Sequence, residues 1–168
     1  MIPLPARSSE HLAVFGLGVS GRATAHALTA SGARVTAWDD NADSRGQAAG
    51  EKIALGDLVA ADWSGIDALV LSPGVPLTHP KPHPVVDAAR RAGRPVIGDI
   101  ELLAEACPAA ILIGITGTNG KSTTSALIHH VFRHAGRRVQ LGGNFGPPVL
   151  GLEPPGPGDT IVLELSSY

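Results

Sequence analysis

Two glycine-rich segments of this chain have the residue types and spacing that hold phosphate. The stronger is Thr116-Gly117-Thr118-Asn119-Gly120-Lys121-Ser122-Thr123. Binding a phosphate takes backbone N–H groups converging on an anion, small residues that let its oxygens approach, and a helix N-terminus with its partial positive charge. Gly117, Gly120 and the helix that follows them meet those needs. Lys121 adds a mobile full charge for terminal phosphates, and the hydroxyl of Ser122 or Thr123 stands where Mg2+ would bridge them. The strict G-x-x-x-x-G-K-[ST] pattern wants glycine at position 115, where the chain has Ile115. The segment is therefore a variant of that loop. The competing reading is a strand-to-helix turn with an incidental lysine, which the strand before and the amphipathic helix after disfavour.

The second segment is Gly16-x-Gly18-x-x-Gly21. It follows a strand, opens a helix and has Asp39 at the end of the next strand, the context of a dinucleotide-type loop. On these residues an NAD-linked oxidoreductase stays open. So does any other diphosphate ligand, a nucleotide sugar included, and so does a tight turn with Ser20 as a simple helix cap. No general acid or base for hydride chemistry stands out.

Two further residues gain meaning only beside the first loop. Glu164 ends the strand Thr160 to Leu165 and in a parallel sheet would emerge at the same edge as the loop, where a carboxylate can hold Mg2+. Asn144, in Gly142-Gly143-Asn144-Phe145-Gly146, is a turn-former by type and a ligand contact by position. His129 and His130 have no suitably spaced partner, and Arg90-Arg91 and Arg137-Arg138 read as solvated charges near helix ends.

The elements that must position these residues follow from periodicity and punctuation. Leu12 to Phe15, Arg34 to Trp38, Ala68 to Leu71 and Pro95 to Gly98 read as strands. Ser20 to Ser31, closing on Gly32, and Pro84 to Ala92, with Gly93 past its end, read as helices. Alternation of this kind predicts a parallel sheet covered on both faces. A new unit starts near Pro108 with the strand Ala109 to Ile115. Its helix carries Leu127, Ile128, Val131, Phe132 and Ala135 at helical spacing, so that one face packs on a sheet, and strands at Val139 to Gly142 and Thr160 to Leu165 follow. The expected division is residues 1–107 and 108–168. The second unit looks truncated, because Tyr168 follows directly on a buried-looking strand.

Bulk properties narrow the classes. Of 168 residues 43% are hydrophobic, enough for a core, and a formal charge of -2 offers no basic face for nucleic acid. The lone Cys107 excludes an intrachain disulfide and fits a reducing compartment. No apolar run has the length of a signal sequence or a membrane span, so a cytoplasmic protein is expected.

Taken together, these residues resemble the Mur ligase family. The loop Thr116 to Thr123 is similar to the ATP loop that Mur ligases share with folylpolyglutamate synthases. A narrower likeness lies in Gly16-Leu17-Gly18-Val19-Ser20-Gly21, Leu71-Ser72-Pro73-Gly74-Val75, Gly98-Asp99-Ile100-Glu101-Leu102, Gly142 to Gly146 and Leu163-Glu164-Leu165-Ser166-Ser167-Tyr168, in that order. The resemblance implies a Rossmann-like parallel-sheet domain binding a uridine diphosphate sugar, followed by the start of a P-loop-like α/β domain binding MgATP. The sugar nucleotide would contact Gly18, Val19, Ser20, Asp40, Asn41, Ser72 and Gly74, with Asn144 and Ser166 reaching in from the second unit. Asp40 and Asn41 stand where the family often has threonine and arginine. ATP would contact Gly117, Thr118, Asn119, Gly120, Lys121, Ser122 and Thr123, with Lys121 catalytic and Ser122 and Glu164 on the metal. The implied activity is ATP-dependent addition of D-glutamate to UDP-N-acetylmuramoyl-L-alanine in peptidoglycan synthesis, by a monomer in the cytoplasm without nucleic-acid or membrane partners. The family's carbamylated lysine, a further histidine and its C-terminal domain lie beyond Tyr168, so the fragment alone is expected to be inactive. A non-catalytic nucleotide-sugar-binding module remains the rival reading.

Overall fold

The computed structural model describes residues 1–166. Seven strands form two sheets. β1 (His11–Phe15), β2 (Arg34–Trp38), β3 (Ala68–Leu71) and β4 (Val96–Ile97) lie in the order β2-β1-β3-β4, and β5 (Ile111–Ile115), β6 (Val139–Gly143) and β7 (Thr160–Glu164) in the order β5-β7-β6. Every pairing is parallel. Parallel neighbours need crossover connections, and helices α1 (Val19–Ala30), α2 (Ala42–Gly50), α3 (Pro84–Arg91), α4 (Asp99–Ala106) and α5 (Lys121–His134) lie in those connections or, like α4, lead from one sheet to the next. The fold class is the expected Rossmann-like parallel α/β arrangement followed by a second α/β sheet.

Why the first sheet holds is visible in β1. Leu12 and Val14 face a core with Ala25 and Leu28 of α1, while Ala13 and Phe15 face the opposite core with Leu69, Leu71, Val85, Val86 and Ala89. The alternation is the period of two of an extended chain, and both faces are covered. The first core does not stop at the first sheet. It continues into Val149, Leu150, Leu152, Ile161 and Leu163, so the turn at Val149–Gly151 packs on α1 and α4. Each of those aliphatic side chains contributes about 2 kcal/mol of burial. Ile2, fully buried, donates its N–H to the Leu150 carbonyl at 2.9 Å and ties the N-terminus into the same seam.

The departures from expectation are instructive. α2 and α4 were not anticipated as helices. α2 reads Ala-Asp-Ser-Arg-Gly-Gln-Ala-Ala-Gly, with two glycines and only Ala48 buried, so it has no apolar stripe to detect. α5 also differs. Its buried position is Ser125, with Ile128 and Phe132 half-buried on the same side, whereas Leu127 is 59% and Val131 53% exposed. Residues 125, 128 and 132 follow the helical repeat toward the sheet, and 127 and 131 fall about 200° and about 240° around the helix from 125, away from it. The expected face is therefore narrower than the spacing of all five apolar residues suggested. Cys107 is buried, as a small hydrophobe, and burial pushes its thiol pKa up. Among the described residues no helix is long and apolar enough to cross a membrane.

Candidate functional site

In the first sheet the chain leaves β1 for β2 on one side and returns to β3 on the other, so the β1 and β3 ends flank a topological switch point, where open parallel sheets bind ligands. The glycine loop leaves β1 there. Two of its glycines are required by packing. A Cβ on Gly16, at φ +93, would lie 2.8 Å from Ser72 Cβ, and one on Gly21 would lie 1.7 Å from the Gly16 carbonyl oxygen. Gly18 differs, with φ −63 and nothing within 4 Å of a would-be Cβ. The space beside it is open.

Helix capping separates α1 and α5 from the rest. Asn41 caps α2 by accepting from the N–H groups of Asp43 and Ser44, His83 caps α3 by accepting from Val85, and Glu101 reaches back to the Gly98 N–H at α4. α1 begins at Gly18 and α5 at Gly120 with no side-chain cap at either. Their first-turn N–H groups are left for an outside acceptor, and the helix dipole favours an anion at each.

Between the two sheet edges lies a cleft of about 420 Å3, within the usual range of ligand sites. One side is Gly18, Val19 and Ser20 of the glycine loop, Asp39 after β2, and Ser72, Pro73 and Val75 after β3. The other is Gly143, Asn144, Gly146 and Pro148 after β6. Of the sugar-nucleotide contacts expected above, Gly18, Val19, Ser20, Ser72 and Asn144 line it. The Ser72 hydroxyl donates to the Gly16 carbonyl at 2.6 Å, joining the β3 end to the glycine loop.

The other expected contacts lie elsewhere. Asn41 spends its carbonyl oxygen on α2. Asp40 is exposed and pairs with His83 at 2.9 Å. Gly74, at φ +91, is exposed in the turn after β3. The Ser166 carbonyl accepts from the Thr116 hydroxyl at 3.2 Å, which sets it beside the second loop. Asp39, which ends β2 as the dinucleotide-type context has it, lines the cleft, and one of its oxygens accepts from the Leu17 N–H and the other from the Asn41 N–H at 2.8 Å, so its carboxylate ties the glycine loop to the β2 end. Asp39 carries no local sequence signal for these contacts.

At the second sheet, Ile115 and Gly143 lie either side of Glu164 in register. Thr116 to Gly120, Glu164 and the turn 143–146 therefore leave the sheet at one edge. Gly117 has φ +139 and Gly120 φ +77, conformations that favour glycine. Thr118, Asn119, Ser122 and Thr123 are exposed, and Lys121 Nζ donates to the Gly117 carbonyl at 2.8 Å, folding the cation over the loop. Glu164 is only 6% exposed, yet its Oε2 has no hydrogen-bond partner among the described residues. A buried, unpartnered carboxylate oxygen beside an anion loop suits a hard cation such as Mg2+. The site residues fit that ion.

A parallel α/β unit with an uncapped glycine loop at its switch point, followed by a second sheet with its own such loop, defines the class of Rossmann-like α/β proteins with paired phosphate-type loops. Residues 10–98 match the family described as Mur ligase MurD-like, N-terminal domain, and the chain belongs to the Mur ligase family. It is 55% identical over 175 aligned positions to the UDP-N-acetylmuramoylalanine–D-glutamate ligases of Rhizobium meliloti (strain 1021) and Brucella abortus (strain 2308), covering 100% of this chain and 37% of each relative. The chain thus spans little more than a third of those relatives' length. Among solved structures it is similar to a Neisseria UDP-N-acetylmuramate:L-alanyl-γ-D-glutamyl-meso-diaminopimelate ligase, with TM-score 0.54 and 22% identity over 92% of this chain and 52% of that one. It is also similar to the UDP-N-acetylmuramate–alanine ligase of Thermotoga maritima, with TM-score 0.53 and 21% identity over 94% of this chain and 37% of that one. These likenesses show the fold.

Proposed function

We propose that the protein containing this chain is an ATP-dependent ligase that joins D-glutamate to UDP-N-acetylmuramoyl-L-alanine in peptidoglycan synthesis. The observation that carries the reading is geometric. The cleft at the first glycine loop is closed by Asn144, whose N–H donates at 2.9 Å to the carbonyl of Glu164, the buried carboxylate residue beside the second loop. A ligand held in the cleft therefore reaches toward the second loop. The substrates' identity is supported by the names of the relatives.

In this reading residues 1–107 hold the sugar nucleotide, its diphosphate at the uncapped start of α1 against Gly18, Val19 and Ser20, with Ser72, Gly74, Asn144 and Ser166 around the sugar and Asp40 and Asn41 toward the base. Residues 108–168 begin the ATP unit. Gly117, Thr118, Asn119, Gly120 and Thr123 surround the phosphates. The substrate carboxylate attacks the γ-phosphorus and ADP leaves. The resulting acyl phosphate is attacked by the D-glutamate amine, which forms the amide and expels phosphate. Lys121 and the α5 N-terminus offset charge on the moving phosphoryl oxygens, which costs no reorganisation because both are already in place. Mg2+, held by Ser122 and Glu164, would neutralise charge between the phosphates. The protein works as a monomer in the cytoplasm.

The test is full-length protein with UDP-N-acetylmuramoyl-L-alanine, ATP and D-glutamate. The expected result is one ADP per amide formed, with amide formation abolished when any one of the three is omitted. ADP release at the same rate without the sugar nucleotide would refute it.

A further inference from the structure

We infer that α2 is a brace for the glycine loop and that Arg22 and Arg45 are positioning residues for the diphosphate ligand of the cleft; the ligand half of this rests on the function proposed above. Leu17 is fully buried between Gly16 and Gly18. Its backbone is gripped from both sides. The N–H donates to the Asp39 carboxylate, and the C=O accepts from Arg22 Nη1 at 2.7 Å. Both gripping groups lead to α2.

Arg22 continues to the residue that closes α2, since its Nε lies 3.0 Å from Oε1 of Glu51, whose other oxygen is 2.8 Å from His26. Asp39 continues to the other end of α2. Arg45, in its second turn, donates from Nη1 to the carbonyls of Asp39 at 2.7 Å and Asp40 at 2.9 Å, and its guanidinium lies 4.6 Å over the Trp38 ring. A planar guanidinium can stack on an indole while donating at its edge, and a lysine ammonium cannot do both.

The plain alternative is that α2 is an ordinary crossover helix covering the sheet. It is poorly made for that, with glycines at 46 and 50 and Ala48 as its one buried residue. Its polar links are more extensive than its packing. Neither arginine lines the cleft, so both act through Leu17 and the β2 end. They hold the carbonyl of Leu17 turned away and leave Gly18 and the α1 N-terminus facing the anion.

The test uses the full-length protein with Arg45→Lys and Arg22→Lys, which keep the charge and lose the fork. In ligand-free protein, hydrogen exchange at the Leu17 amide should rise at least tenfold in both variants while amides of β3 and α5 stay at wild-type rates. UDP-N-acetylmuramoyl-L-alanine should bind about tenfold more weakly by calorimetry, with the KM for ATP and kcat at saturation unchanged. Unchanged exchange at Leu17 would overturn the brace, and raised exchange with unchanged sugar-nucleotide affinity would overturn the positioning role. Raised exchange in the variants, with no sugar-nucleotide binding by the wild-type protein, would support the brace and refute the reading of the site.

Discussion

Asn144 and Glu164 are joined through the backbone, N–H to carbonyl at 2.9 Å, which ties the wall of the cleft to the strand end that carries the buried carboxylate beside the second loop. Gly143 makes this possible. At φ +104 it passes so close to β7 that a Cβ would lie 2.4 Å from the Glu164 carbonyl oxygen. Gly143→Ala should therefore both strain the backbone and push Glu164 aside, at a cost of about 3 kcal/mol. Chemical denaturation should show that loss, and substrate affinities should fall at both loops rather than at one.

The glycine loop offers a contrast within six residues. Gly21→Ala puts a methyl 1.7 Å from a carbonyl oxygen that cannot move without unseating β1, and should cost about 3 kcal/mol or more. Gly18→Ala meets no atom within 4 Å and keeps an ordinary φ, so the stability loss should stay near or below about 1 kcal/mol, the difference between glycine and alanine as a cap. Its effect should appear in calorimetry instead, as roughly tenfold weaker sugar-nucleotide binding.

Asp99 opens α4 at 5% exposure, and burial pushes its carboxyl up to about 6 from 3.8, against hydrogen bonds from the Ile100 N–H and its own. The folded state then holds the proton more tightly than the unfolded one. This group's contribution is full below about pH 4 and is lost as pH rises through about 6, a change of about 3 kcal/mol. Asp99→Asn keeps the shape and removes the titration. Its stability relative to wild type should rise between pH 4 and 7 and be level outside that window, as measured by denaturation at a series of pH values.

What was legible in the sequence follows the range of the interactions. β2 and β3 were read to the residue, because a short run of alternating burial in β2 and a continuous apolar run in β3, each closed by polar residues, report local geometry directly. The two glycine loops, as strand-to-helix turns, were legible for the same reason: glycine spacing, a preceding strand and a following helix all lie within a few positions. α2 was not, since its stability comes from Arg45, Glu51 and Asn41 rather than from an apolar face. Asp39 was legible as a strand-end carboxylate but not in its destination, since Leu17 is 22 residues away in sequence. Asn41 shows the same limit from the other side. Its type suits both a ligand contact and a cap, and the cap is visible only in the fold, where its side-chain oxygen accepts from the N–H groups of Asp43 and Ser44.

In the proposed function Lys121 serves phosphoryl transfer and not the fold. Its bond to the Gly117 carbonyl sits on an open loop, so Lys121→Ala should leave the melting temperature and sugar-nucleotide affinity of the full-length protein unchanged. The decisive measurement is the single-turnover rate of ADP formation with UDP-N-acetylmuramoyl-L-alanine and D-glutamate saturating. A fall of about a thousandfold is the predicted result. A rate within a few-fold of wild type would contradict the account.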